Sequence, residues 1–142
     1  MVEFALVLPL LLLLVLAMAD FGKAFNYWID ATHLANEGAR LAAVNGAPGT
    51  CPDGTTAGTL QVYIKCQGTT SELRNAAQVE ICFPNGGSGA VGDPVRVRVR
   101  ATYNWLAFVA PHMPFAQATI TGTSYMRLEA PPPHSFTTVT CT

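Results

Sequence analysis

The sequence predicts an α+β fold: a long amino-terminal apolar α-helix over residues 1–45, then a small, mainly antiparallel β-sheet domain over residues 46–142. Three observations predict it. Residues 1–19 (MVEFALVLPLLLLLVLAMA) are apolar without a break and carry one charge, Glu3. Residues 20–44 extend that run with helical spacing and no proline. Further on, the apolar period shortens to two, most clearly in residues 95–103 (VRVRVRATY), as a strand with one buried face requires.

The helix comes first. About 20 apolar residues cross a bilayer, so residues 1–19 just suffice. Residues 10–16 are leucine and valine only, a composition with no preferred face; lipid or packed neighbouring shafts must surround it on every side. Pro9 lacks an amide donor and crowds the Ala5 carbonyl, so a kink or local loosening is expected there. Glu3 near the start of a helix also complements the positive end of the helix dipole. Further along, Phe21, Phe25, Trp28, Ala31, Ala35, Ala39 and Ala42 recur every three or four residues and form one stripe. The alanines at 35, 39, 42 and 43 allow close approach, so that face is read as the seat of the β-domain. Asp20 and Lys23 mark the exit from the membrane. Asp30, Glu37 and Arg40 follow on the polar side. Asp30, His33 and Glu37 lie on successive turns, but a metal site would need ligands from elsewhere, and surface charge is the expected reading. Asn45-Gly46 ends the helix, with Pro48 beyond.

Residues 47–59 (APGTCPDGTTAGT) read as loop. Residues 60–66 (LQVYIKC) alternate and read as a short strand, with Leu60, Val62 and Ile64 on one face. Residues 67–75 are polar and hold a helical turn. Residues 78–83 (QVEICF) read as a strand with Val79, Ile81 and Phe83 inward and Cys82 on the other face. The glycine-rich residues 84–93 lack the Lys-Ser/Thr of a phosphate loop and form a plain connection. In residues 95–103, Val95, Val97, Val99 and Ala101 face inward. Arg96, Arg98 and Arg100 form a solvated row that pairs with Glu80 across the sheet. Residues 104–117 (NWLAFVAPHMPFAQ) are too apolar for water, and Trp105, Phe108 and Phe115 are expected to anchor them on the core or on a neighbouring subunit. Residues 118–128 read as the last strand, with Ile120, Met126 and Leu128 inward, pairing with residues 95–103. The triple proline at 131–133 stiffens the exit, and a Thr-rich tail follows.

The chain has 142 residues and a net charge of −1, which gives no electrostatic case for nucleic acid. All four cysteines follow the helix. An even number beyond a membrane segment indicates an oxidising compartment and two disulfides, with three possible pairings. Cys51–Cys66, closing a short loop, with Cys82–Cys141, tying down the tail, is the favoured set. No N-glycosylation sequon occurs; Thr137, Thr138 and Thr140 are candidates for O-linked sugar. His33, His112 and His134 have no recognisable catalytic partners and no C-x-x-C pair exists, so the chain is read as a non-enzyme without a cofactor or metal. The Ala17-Met18-Ala19 triplet resembles a signal-peptidase site, but no Lys or Arg precedes the apolar run and Glu3 has the wrong charge there. A membrane anchor and a filament-forming shaft are the other readings.

The stretch MVEFALVLPLLLLLVLAMADFGKAF, followed by NEGARLAAV, resembles the amino-terminal signature of TadE-like pilins, the tight-adherence branch of the type IV pilus systems. The segments VRVRVRATYNWLAFVAPHMPF and ATITGTSYMRLEA resemble the closing strand pair of that family. Together these cover about half the chain; residues 51–93 show no such likeness. The resemblance implies a type IV pilin-like subunit, processed by a prepilin peptidase, held in the inner membrane and then assembled by the pilus machinery into an extracellular homo-oligomeric helical filament for adhesion or surface contact. It implies that Glu3 faces the α-amino group of an adjacent subunit and sets the axial register. The family glutamate stands at the fifth position of the mature chain, so residues upstream of Met1, or a start within the mature protein, are expected. Glu3, Phe4, Pro9, Leu12, Phe21 and Phe25 are the expected assembly residues. A major filament subunit is the first reading. A minor pilin, or an anchored accessory protein that primes or tips a pilus of another subunit, is the alternative.

Overall fold

The computed structural model describes residues 2–105 and 117–141, with the side chains of residues 2, 3 and 5 excepted. Phe108, Phe115 and His112 lie outside the described residues. The first element is one helix, α1 (Val2–Ala43), which runs without interruption past Pro9. Its end is set by Asn45, whose φ of 51° reverses the chain. The Gly46 amide donates to the Leu41 carbonyl at 2.8 Å and the Asn45 amide to that of Ala42 at 3.2 Å. These are the paired bonds that close a helix when the residue after its last turn is left-handed, and asparagine is the residue after glycine that tolerates it best.

Two short helices follow, α2 (Leu60–Cys66) and α3 (Ser71–Ala76). Then come the strands β1 (Gln78–Cys82), β2 (Pro94–Asn104) and β3 (Gln117–Arg127). They form one antiparallel sheet in the order β1-β2-β3. The expected α+β layout, a long apolar helix followed by a small antiparallel sheet, is therefore present. On β2 the alternation works as expected: Val95, Val97, Val99 and Ala101 are buried against α1. Ala31, Ala35, Ala39 and Ala42 of α1 have no exposed surface. Small residues on both sides let helix and sheet approach closely. A Cβ on Gly38 would meet Ile64 and Val97, and one on Gly122 would overlap the main chain of Ala31.

Four sequence expectations need correction. Residues 60–66 form helix α2 rather than a strand. Thr59 caps it by accepting from the Val62 amide, Leu60 and Ile64 share its buried side one turn apart, and Val62 is half exposed. The helical stripe on α1 also divides. Its alanines face the sheet, but Phe21, Phe25 and Trp28 are exposed, and Ala24 and Tyr27 take the buried positions. Asp30 is not surface charge: it is buried and accepts from the Thr69 amide at 2.9 Å and the Thr69 hydroxyl at 2.7 Å. The arginine row is more enclosed than a solvated face. Arg96 is 8% exposed, while Arg98 and Arg100 share Glu80 at 4.0 and 3.2 Å.

The carboxy-terminal segment is a belt. Asn45 donates to the Pro133 carbonyl and accepts from the Ser135 amide, and the Ser135 hydroxyl donates to the Gly46 carbonyl. Phe136 is buried beside Phe83 and His134. The Val139 amide donates to the Ile81 carbonyl at 3.0 Å, so the belt runs along the free edge of β1. Cys82 is bonded to Cys141 at the end of this belt, and Cys51 to Cys66 joins the long loop to α2.

Candidate assembly surface

The sheet covers α1 only from Ala24 onwards. Below Asp20 nearly all the described side chains of the helix are exposed. Phe4, Leu6 and Leu10 are 71, 76 and 73% exposed, and Val7, Leu8, Leu11, Leu12, Leu13, Leu14, Val15 and Met18 are all exposed. These side chains point in every direction around the helix, so no single contact face exists. An 18-residue window of α1 has a mean hydropathy of 2.1, enough to cross a membrane by length and composition. A surface of this size and polarity does not persist in water; it needs lipid or protein around it.

The boundary between bare and covered helix is built by one hydroxyl. The Tyr103 hydroxyl, at the end of β2, donates to the Asp20 carboxylate and lies 3.1 Å from the Asp20 carbonyl. Burial, and then the negative Asp20 to which it donates, push the Tyr103 phenol well above its ordinary value of 10. Its ring meets that of Tyr27 edge-on at 5.2 Å. The Tyr27 hydroxyl in turn donates to Glu72 on α3 at 2.9 Å. Just below, Trp105 stacks on Phe21 with ring centres 6.5 Å apart, and Phe25 lies 5.8 Å from Trp28. Phe21 and Phe25 thus belong to an exposed aromatic shoulder rather than to the covered stripe.

The remaining expected site residues are placed as follows. Phe4 and Leu12 lie on the bare helix and Pro9 lies within it. The Glu3 side chain is outside the described set. Thr137, Thr138 and Thr140 are exposed on the belt, and the Thr137 hydroxyl accepts from Gln61 at 3.0 Å. Among the described residues no group of three or more His, Cys, Asp or Glu side chains could hold a metal ion. His134 is taken up in packing, with its Nε2 2.9 Å from the Gly89 carbonyl. Sequence reasoning missed the Tyr103–Asp20 and Tyr27–Glu72 bonds. The inward register of β2 placed Tyr103 on the buried face, but nothing in the sequence named its partner.

Comparison with known families finds a match over the helix. The family described as TadE-like protein matches residues 1–40, the bare helix and most of its covered half. This agrees with the amino-terminal resemblance, and residues 41–142 lie outside the match. No curated protein and no solved structure matches the chain.

Proposed function

We propose, with the TadE-like match over residues 1–40 as premise, that the chain is a structural subunit of a tight-adherence pilus. The bare part of α1 first sits in the cytoplasmic membrane. After prepilin peptidase processing, the assembly machinery transfers it into a filament of identical copies. Residues 46–142 form the extracytoplasmic wall, serve adhesion or surface contact, and offer Thr137, Thr138 and Thr140 as hydroxyls for sugar. The observation that carries this reading is the exposure of residues such as Leu6, Leu10 and Leu13 on all sides of the helix. Burying a large apolar side chain is worth about 1.5–3 kcal/mol, so a row of them holds a bundle of shafts together once the copies exclude water. Phe4, Leu12, Phe21 and Phe25 supply that contact, and Pro9 lets shafts bend around each other. Glu3 enters such a bundle only when paired, and the α-amino group of a neighbouring copy is the matching charge.

The test is electron microscopy and subunit mass spectrometry of purified surface filaments. This chain should be their bulk component. Leu12→Lys and Glu3→Leu should each abolish filaments while the β-domain still forms its disulfides. Normal piliation in Leu12→Lys overturns the reading. The alternative is a minor pilin or anchored accessory protein, the role to which a TadE-like match leans on its own. Filaments built of another subunit, with this chain in trace amount, would establish it.

A further inference from the structure

Trp28 and Trp105, the two tryptophans of the chain, lie on the same side of α1 at the level where the helix leaves its bare segment. With Phe21 and Phe25 they make the aromatic shoulder described above, in which Trp28 is half exposed and Trp105 is partly buried, edge-on to Tyr103 at 5.3 Å. We propose that, before assembly, this shoulder rests in the headgroup layer of the bilayer and sets the depth and tilt of the subunit. The proposal rests on the membrane-held state of the preceding reading and adds the lipid interface as the shoulder's partner.

Three features argue for lipid as the occupant. The first is position. Asp20 and Lys23 are the first charges above the apolar run, so the edge of the hydrocarbon falls at the level of Asp20. The next turns, with Phe21 and Phe25, then fall in the headgroup layer, roughly 5–7 Å deep on each side, while the Trp28 backbone stands about 12 Å above the hydrocarbon and only its ring reaches back toward that layer. The second is direction. Helix side chains lean toward the amino terminus, so the Trp28 ring is carried down toward the bilayer, as its 5.8 Å approach to Phe25 records. The third is chemistry. Tryptophan combines an apolar ring with an N–H donor and favours the membrane–water boundary, and exposed Lys23 stands at the same level to meet lipid phosphate. The patch is also continuous with the bare helix below it through Met18, which is exposed. Tyr27, on the neighbouring face, is covered by protein, so the aromatic contact is one-sided and tilts the helix toward the shoulder.

The two tryptophans serve as the probes. The full chain is reconstituted into vesicles of phosphatidylcholine and phosphatidylglycerol, and Trp28→Phe and Trp105→Phe each leave one reporter. Lipids brominated near the carbonyls, at mid-chain or near the terminal methyl then read depth. Both reporters should be quenched most by bromine near the carbonyls and progressively less by deeper bromine, with Trp105, beside Phe21, quenched more than the higher Trp28. Flotation of the vesicles tests the anchor separately. Floating protein whose tryptophans are quenched by aqueous iodide and by none of the bromolipids overturns the proposal and leaves the anchor standing. Strongest quenching at the terminal methyl overturns it too, by placing the shoulder in the core. Failure to float removes both.

Discussion

Gly122 on β3 sits against the main chain of Ala31 on α1 with no room for a side chain: a Cβ there would overlap the Ala31 carbonyl and the Thr32 amide. Neither backbone can yield without parting helix from sheet. Gly122→Ala should therefore cost about 1–3 kcal/mol, the usual range for overpacking a tight contact. Gly22→Ala is the control. Nothing lies within 4 Å of a Cβ at that position of α1, and alanine should stabilise an exposed helix by about 0.5–1 kcal/mol. Denaturant unfolding in mild detergent compares the two; equal stabilities would mean that the close approach is not obligatory.

Asn45 performs two tasks, ending α1 with a positive φ and holding the belt at Pro133 and Ser135. The tasks separate by substitution. Asn45→Gly keeps the backbone reversal and loses the belt bonds; Asn45→Ala loses both and should be the less stable, by about 1 kcal/mol. Hydrogen exchange around Ser135 should quicken in both variants. Unchanged exchange there would show that Asn45 does not hold the belt.

The two disulfides constrain loops of different size, with sequence separations of 15 for Cys51–Cys66 and 59 for Cys82–Cys141. Loop-closure entropy assigns them upper values of about 3 and about 4 kcal/mol. Removing the Cys82–Cys141 bond by a double serine substitution should thus cost more, and should free the belt from the edge of β1. Proteolysis within residues 134–141 reads the release. If that belt stays protected while the Cys51–Cys66 variant unfolds, the order is reversed.

The raised Tyr103 phenol makes a pH prediction. Its neutral form is the one the fold favours, so its contribution is fully present below the unfolded value of 10. Above that pH the unfolded chain releases the proton first, and stability falls by up to about 1.4 kcal/mol per pH unit until the folded phenol also ionises. Tyr103→Phe should flatten this part of the profile and cost about 0.5–1.5 kcal/mol at neutral pH for the lost bond to Asp20. Identical alkaline profiles for the two proteins would show that the phenol is not shielded.

Much of this fold was legible because its two strongest signals are long. The leucine-rich run left no alternative to a helix, and four inward residues in strict alternation fixed both the existence and the facing of β2. Residues 60–66 misled because seven residues support two periods at once. Leu60, Val62 and Ile64 alternate, yet Leu60 and Ile64 are also one helical turn apart. The decision came from the Thr59 cap and from Ile64 settling over Gly38, a contact between distant parts of the chain. Trp28 stands on the expected stripe in place of Tyr27 for a similar reason: a stripe of small and aromatic residues does not fix a helical face to within one residue. Asp30 gave no sign of burial because the Thr69 groups that satisfy it lie 39 residues away. Of the candidate surface, the bare helix was plain from composition. The aromatic shoulder was not, because Trp105 reaches Phe21 only once β2 has been laid beside α1.

Shaft and sheet share one uninterrupted helix, and no joint divides the greasy half of α1 from the half that carries β2 and β3. A pull on either end is therefore not absorbed by a slack tether. It becomes shear along the alanine seam at Ala31, Ala35 and Ala39, where the flat backbone contact at Gly122 resists sliding and the belt's cross-link at Cys82 keeps the sheet from peeling. A chain built in this way passes tension from shaft to sheet with no hinge between them.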